Sequence, residues 1–351
     1  MPLSKFYLPQ ISCAALFLSL TVFANYSCST SQGEPPVSVI LPPAETAKTP
    51  EKKDLPILDS ADYKSKFEAL NATDSTGKWS KLELTYPKLG AILPFKRVVA
   101  YYGNFYSKRM GILGELPEAE MLDSLKAESK KWELADSETP VVPAIHYIAV
   151  TAQRSPGKGD KYRQRMPYAH IEKALAMAKK IDGILILDIQ VGLSTLQEEL
   201  PQLDTFLSMP NVHLGIDPEF SMKSGHRPGK KIGTFDAEDV NYAAKYLAGL
   251  VKLHNIPPKI LIIHRFTKPM VTNSKDIVPL PEVQIVMEMD GWGGKAKKKG
   301  TYRQVIYPEP VQFTGFKVFY KNDIKKGKAT EVLQPKEILQ LVPKPIYIQY
   351  Q

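Results

Sequence analysis

Cysteine is almost missing from this sequence. There are two, Cys13 and Cys28, among 351 residues, and none follows. The body of the chain therefore has no disulfide, no thiolate metal site and no cysteine nucleophile. Neither GxGxxG nor GxxxxGK[ST] follows any apolar run, which argues against nucleotide binding and leaves no cofactor implied. HxH and HExxH spacings are also missing, so no metal site is assigned from sequence. The net charge is +9, yet aromatic residues do not interleave with the basic ones. A nucleic-acid stacking surface needs that interleaving, so nucleic acid is not expected as a partner. The excess charge is local, in Lys295, Lys297, Lys298 and Lys299 and in Lys321, Lys325, Lys326 and Lys328, which read as solvated loops.

The apolar stretch at residues 11–24, ISCAALFLSLTVFA, is too short for a transmembrane helix and suits the core of an export signal. Two endings compete. Val22-Phe-Ala24 fits a small-residue cleavage site and a secreted product. Asn25-Tyr-Ser-Cys28 is a loose lipobox, which would make Cys28 the lipidated first residue, and this reading is preferred. The expected organisation is a signal at 1–28, a flexible linker at 29–58, a lead-in segment at 59–96 packed on the domain, and the domain itself at 97–351. The linker is rich in Pro, Ser, Thr, Glu and Lys, a composition that cannot bury a core. The expected location is the cell envelope, lipid-anchored outside the cytoplasmic membrane.

From position 97 short apolar runs alternate with helical patterns. The runs are VVAYYGN (98–104), VVPAIHYIAV (141–150), ILILDIQ (184–190), VHLGIDPEF (212–220), ILIIHRF (260–266), VQIVMEMDG (283–291), GFKVFY (315–320) and IYIQYQ (346–351). Between them, residues 117–136 start with proline and acidic residues as a helix does. After Asp236, Val240, Ala243, Ala244, Leu247, Leu250 and Val251 form one helical stripe. Residues 170–181 and 196–207 are similarly amphipathic, whereas 295–310 reads as a long loop. Strand–helix alternation implies right-handed βαβ units and a parallel sheet. Eight units in this length predict a closed (β/α)8 barrel of the TIM type, with a doubly wound open sheet as the alternative.

In such a barrel the C-terminal strand ends build the site. Those ends carry Tyr102, Gly103 and Asn104; His146 and Tyr147; Asp188 and Gln190; Asp217 and Glu219; His264 and Arg265; Glu288, Asp290 and Trp292; Lys317 and Tyr320; and Gln349. Ionisable groups in apolar sequence must be paired or shift their pKa, and a ring of them marks a polar pocket. Bland readings stand beside this one. Asp188 can cap a turn, Asp217-Pro-Glu219 can be a rigid turn, and a core histidine can bond a backbone carbonyl. Trp292 can stack on a sugar or simply cover the barrel mouth, and the glycine-rich loop at 225–236 can be a lid or an ordered connection.

The strings LDIQ, DPEF…G…PG…IG…DA, the helix carrying Asn241, HRF, MDG, GFKVFY and the closing YQ resemble a poorly characterised family of exported bacterial proteins and lipoproteins. The resemblance spans residues 98–351 and implies export and a glycosidase-like barrel. It carries over no catalytic residue. Where Gln often follows the histidine in related sequences, Arg265 stands here.

The expected activity is therefore glycoside hydrolysis of a glycan or other polar substrate by paired carboxylates, drawn from Asp188, Asp217, Glu219 and Asp290. Asp217 or Glu219 is the expected acid and Asp188 or Asp290 its partner. Tyr102, His146, Tyr147, Gln190, His264, Arg265, Trp292, Lys317 and Tyr320 are the expected substrate-binding set. The alternatives are a metal-dependent hydrolase using His146, Asp188, Asp217, His264 and Asp290, and a non-catalytic surface glycan-binding protein.

Overall fold

A computed structural model describes residues 58–325 and 330–351. Cys28, the signal and nearly all of the linker lie outside the described residues, as do Lys326 and Lys328. Eight parallel strands close on themselves: β1 Arg97–Gly103, β2 Val141–Ala152, β3 Ile184–Ile189, β4 Val212–Ile216, β5 Lys259–Arg265, β6 Val283–Met289, β7 Phe313–Val318 and β8 Tyr347–Tyr350. Each pairs with the next in sequence, and β8 returns to β1, with Val98 opposite Tyr347 and Tyr101 opposite Tyr350. The fold is a (β/α)8 TIM-type barrel. The eight apolar runs of the sequence are its eight strands.

The period-two alternation of the strands separates two apolar layers. Outward side chains such as Val99, Ile145, Leu185, Leu187, Leu214, Ile263, Ile285 and Ile348 pack under the surrounding helices. The helix at Ala237–His254 contributes the stripe anticipated from its spacing, with Val240, Ala243, Ala244, Leu247, Leu250 and Val251 buried. Asp236 and Asp239 close a capping box at its start, and Asn255 ends it in the left-handed conformation. Inward side chains fill the lower barrel with Val98, Ala100, Ala144, Ile184, Ile186, Ile260, Ile262, Val286 and Phe313.

The helix at Ser60–Asn71 plugs the N-terminal end of the barrel. Its Tyr63, Phe67 and Leu70 join that inner cluster, and the rings of Phe67 and Phe313 stand 5.8 Å apart. A polar latch holds the segment leading into β1. The Gln284 side chain accepts from the backbone N–H of Ile92 and Leu93 and donates back to the Leu93 carbonyl. The C-terminal mouth is the open end of the barrel.

Residues 295–310 differ from expectation. They form a helix at Lys295–Thr301 that continues as a π-helical turn at Tyr302–Ile306. Two of the four lysines in the run are paired with acids rather than solvated. Lys298 is buried against Phe316 and Phe319 and pairs with Asp323 at 2.8 Å, while Lys295 reaches Glu331 and Glu337. These acids are distant in sequence, which is why local pattern reads the run as a loop. Residues 196–207 are likewise broken into three short turns, with Pro201 at the start of the second.

Candidate active site at the barrel mouth

Every barrel strand turns one polar side chain inward near its C-terminal end: Tyr102, His146, Asp188, Asp217, His264, Glu288, Lys317 and Gln349. Asp217 and the Asp290 that follows β6 continue the inward face one step beyond the strand ends. All are buried. Above them opens a cleft of about 650 Å³, lined by Tyr102, Gln190, Asp217, Glu219, Asp290 and Lys317 at its polar base. Phe220, Phe266, Trp292 and Phe319 form apolar walls, and Arg109 and Lys297 also line it. That volume suits a small organic ligand or a few sugar rings.

The base is built in two tiers. In the upper tier, Asp290 pairs with Lys317 at 3.0 Å, and the Lys317 ammonium also sits 4.0 Å over the Tyr102 ring. Asp217 caps the turn at Pro218–Phe220 by accepting from the Glu219 N–H at 3.0 Å, and its other oxygen accepts from Gln190 at 3.2 Å. The turn is clamped from the loop at 225–236, where the N–H groups of Gly233 and Thr234 bond the carbonyls of Glu219 and Ser221. A Cβ at Gly233 would stand 2.5 Å from the Ser221 carbonyl oxygen, so only glycine lets the loop lie this close. That loop therefore anchors the turn bearing Glu219.

In the lower tier, Asp188 accepts from the Tyr102 hydroxyl at 2.9 Å. Its other oxygen lies 3.5 Å from His146 Nε2 and 3.3 Å from His264 Nε2. His264 Nδ1 meets Asp290 at 3.0 Å and Glu288 at 2.8 Å, and His146 Nδ1 meets the Tyr347 hydroxyl at 2.6 Å. Gly215 on β4 makes room for this tier. A Cβ there would stand 2.6 Å from both Asp188 Oδ1 and His146 Nε2.

The electrostatics divide the carboxyls into two classes. Burial pushes Glu219 up to about 7, and the Asp290 charge adds to this against Lys317 and His264. Burial also drives Asp217 well up, outweighing the His264 charge, with Glu219 and Asp188 adding to the rise. Burial would raise Asp290 as well, but Lys317 and the His264 contact outweigh it and hold the carboxyl below its ordinary range. Asp188 is depressed in the same way, its burial overcome by the His264 charge and the two histidine contacts. Paired groups whose surroundings push their pKa values apart are the physical basis of acid and base roles.

Of the residues anticipated from sequence, Tyr102, Gln190, Asp217, Glu219, Asp290, Trp292 and Lys317 converge on the cleft. The others do not. Asp188 lies beneath the floor, fully buried and away from the cleft lining, where it bonds Tyr102 and faces the two histidines. His146 and His264 are buried there too. Tyr147 faces the helical layer, stacked on Phe105 at 4.7 Å and bonded to His170. Arg265 also points outward, pairing with Glu309 at 2.6 Å and donating to the carbonyls of Thr267, Lys268 and Val271. Tyr320 stacks on Tyr350 and bonds Tyr101 and Glu128 outside the barrel. Sequence reasoning missed Tyr347 and Gly215 inside the barrel and Arg109, Phe220, Phe266 and Phe319 around the cleft. Tyr347 and Gly215 carried a signal, since each lies two residues from another inward position, Gln349 and Asp217.

No protein-family model and no curated protein matches the chain. Among solved structures it is similar to a cellulase, Cel5C_n, at 13% identity over 63% of this chain and 65% of that one, with a TM-score of 0.36. The chain thus spans under two thirds of that protein. It is also similar to a Bacillus subtilis mannanase, man26, at 12% identity over 73% and 79% of the two chains, with a TM-score of 0.38. A third is a hyperthermophilic endo-beta-1,4-glucanase in complex with substrate, at 8% identity over 64% and 81%, with a TM-score of 0.33.

Proposed function

We propose that the protein is a glycoside hydrolase-like enzyme that cleaves a glycan with Glu219 as general acid and Asp290 as the ionised partner. The observation that carries this reading is the pairing of opposite protonation preferences in one cleft. Glu219, with a pKa of about 7, keeps its proton at neutral pH or just below. Asp290 is ion-paired with Lys317 and stays charged. Protonating the leaving oxygen while stabilising an oxocarbenium-like centre needs those two states together. Trp292, 41% exposed at the rim with the Lys297 ammonium 4.6 Å from its ring centre, gives the cleft an aromatic wall of the kind that packs against sugars. Asp217, kept neutral by its burial, can donate a hydrogen bond to a substrate hydroxyl.

The same proposal places the enzyme outside the cytoplasmic membrane on a lipid anchor at Cys28. Its support is the apolar stretch at 11–24 with the polar tether behind it. No helix among the described residues is long and apolar enough to cross a membrane.

Purified protein incubated with a panel of soluble glucans, mannans, xylans and cell-wall glycan fragments is expected to release new reducing ends from at least one of them. The kcat/KM profile has a definite sign. Activity falls as pH rises through about 7, where Glu219 loses its proton. It falls on the acid side only below the ordinary carboxylate range, where Asp290 gains one. Glycan binding without any new reducing ends would instead make the protein a surface binding module.

A further inference from the structure

We infer that His146, Asp188 and His264 form a buried site for one divalent transition-metal ion of the zinc type, beneath the floor of the cleft. The inference does not depend on the glycoside hydrolase reading.

Three strands, β2, β3 and β5, bring one donor atom each to a common point. His146 Nε2 and His264 Nε2 lie 3.5 and 3.3 Å from Asp188 Oδ1, and the three atoms are all within 4.8 Å of one another. Ligands bound at about 2.0–2.1 Å in tetrahedral directions stand roughly 3.3 Å apart, so both spacings suit a common ion. None of the three atoms makes a well-directed hydrogen bond among the described residues, although all three side chains are fully buried. They face one another at ion-pair distance, and zinc would take the place of the proton that His264 otherwise holds. Polar atoms without well-directed hydrogen bonds are rare in protein interiors and costly, and here three of them converge.

The remaining polar atom of each side chain is held in the way ligand-bearing residues require. Asp188 Oδ2 accepts from Tyr102, His264 Nδ1 meets Asp290 Oδ2, and His146 Nδ1 meets Tyr347. A carboxylate on Nδ1–H fixes the tautomer that leaves the Nε2 lone pair free for a metal. Gln349 lies 2.8 Å from His146 Nδ1 through its nitrogen, while its oxygen has no partner. A half-turn of that amide lets the oxygen accept from Nδ1–H and completes the same arrangement. A side chain at Gly215 would crowd two of the three donors, and glycine there leaves the space beside them open.

Glu288 and Asp290 could form a second triad with His264 through its other nitrogen. That nitrogen is already engaged by Asp290, so the two acids serve as its outer partners instead. Two imidazoles and one carboxylate favour a borderline ion over magnesium or calcium, which take all-oxygen shells. A divalent charge would also balance the buried acids around it, Asp188 between the two histidines and Glu288 and Asp290 beside the Lys317 ammonium. His146, Asp188 and His264 do not line the cleft, so the ion is enclosed and structural rather than a binder of substrate.

The test unfolds the full chain in denaturant with EDTA and refolds it in zinc chloride, in magnesium chloride or without either. Metal content is then read by mass spectrometry and stability by thermal unfolding. Zinc is expected to remain at one ion per chain after desalting and to raise Tm, and magnesium to do neither. Cobalt(II) should give a visible absorption band from the bound ion. His146→Ala and Asp188→Ala should lose both the zinc and the cobalt spectrum. Tyr347→Phe keeps every donor, loses the hydroxyl that contacts His146 Nδ1 and accepts from Gln349, and should weaken zinc affinity by about 10-fold to 100-fold. That variant decides the question should the alanine variants not fold. A protein that refolds fully without retaining zinc, zinc retained unchanged in His146→Ala, or zinc affinity unaltered in Tyr347→Phe would each overturn the site.

Discussion

Glu219→Gln is expected to lower kcat on the hydrolysed glycan by about 10²- to 10⁴-fold, with a small change in KM. The amide keeps the size and planar shape of the carboxylic acid and cannot transfer its proton. The backbone at this position is held independently of the side chain, by the Asp217 cap and by the bond from the Gly233 N–H. The fold should therefore survive the change. Stability supplies a second readout with an opposite sign. The folded-state pKa of Glu219 is raised from 4.5 to about 7. Its stabilising contribution is thus complete below 4.5 and is lost as pH rises through about 7. Gln carries no such penalty, so the variant should unfold at an equal or higher temperature than wild type at pH 8. An inactive variant that unfolds at no lower a temperature than wild type is the signature of an acid catalyst. Near wild-type turnover by Glu219→Gln would remove Glu219 from the reaction.

How far this site could be read beforehand depends on depth and face. The barrel itself was legible because the eight strands are short unbroken apolar runs, buried on both sides and separated by helix-length segments. The polar ring was legible as a position along each strand. Which of two neighbouring residues enters it was harder to see. His146 and Tyr147, and His264 and Arg265, are adjacent pairs, and a step of one residue along a strand reverses the face. The histidines enter the barrel; Tyr147 and Arg265 pack outside it. Asp188 marks a different limit. Alternation places it inside the barrel but says nothing of height, and the Tyr102 ring and hydroxyl lie between it and the cleft side of the network. Phe220, Phe266 and Arg109 come from connections after strand ends, where no periodicity indicates direction. Lys295 and Lys298 were misread because Asp323, Glu331 and Glu337, their partners, come from later in the chain.

Lys317→Met is expected to cost the fold about 3–5 kcal/mol at pH 7, the range for removing one partner of a buried ion pair. Methionine fills most of the space of the lysine stem, so the loss is electrostatic rather than a cavity. It strips Asp290 of its 3.0 Å cation and takes the ammonium from over the Tyr102 ring. Asp290 keeps its contact with His264, which places the expected loss toward the lower end. The sign of the pH dependence follows from what Asp290 becomes. Without Lys317 its carboxyl rises above the unfolded value, because burial is the largest influence on it and the strongest opposing charge has gone. A raised carboxyl contributes stability below its unfolded pKa and loses it as pH rises through the folded one. The deficit of Lys317→Met relative to wild type should therefore shrink toward pH 4 and reach its full size near neutrality. Adding Asp290→Asn removes the stranded charge, so the double variant should recover part of the loss at pH 7. Urea unfolding of wild type, both single variants and the double variant measures this coupling directly. Strict additivity of the two single changes would mean that Lys317 and Asp290 do not depend on each other, and that the ordered cleft floor has another cause.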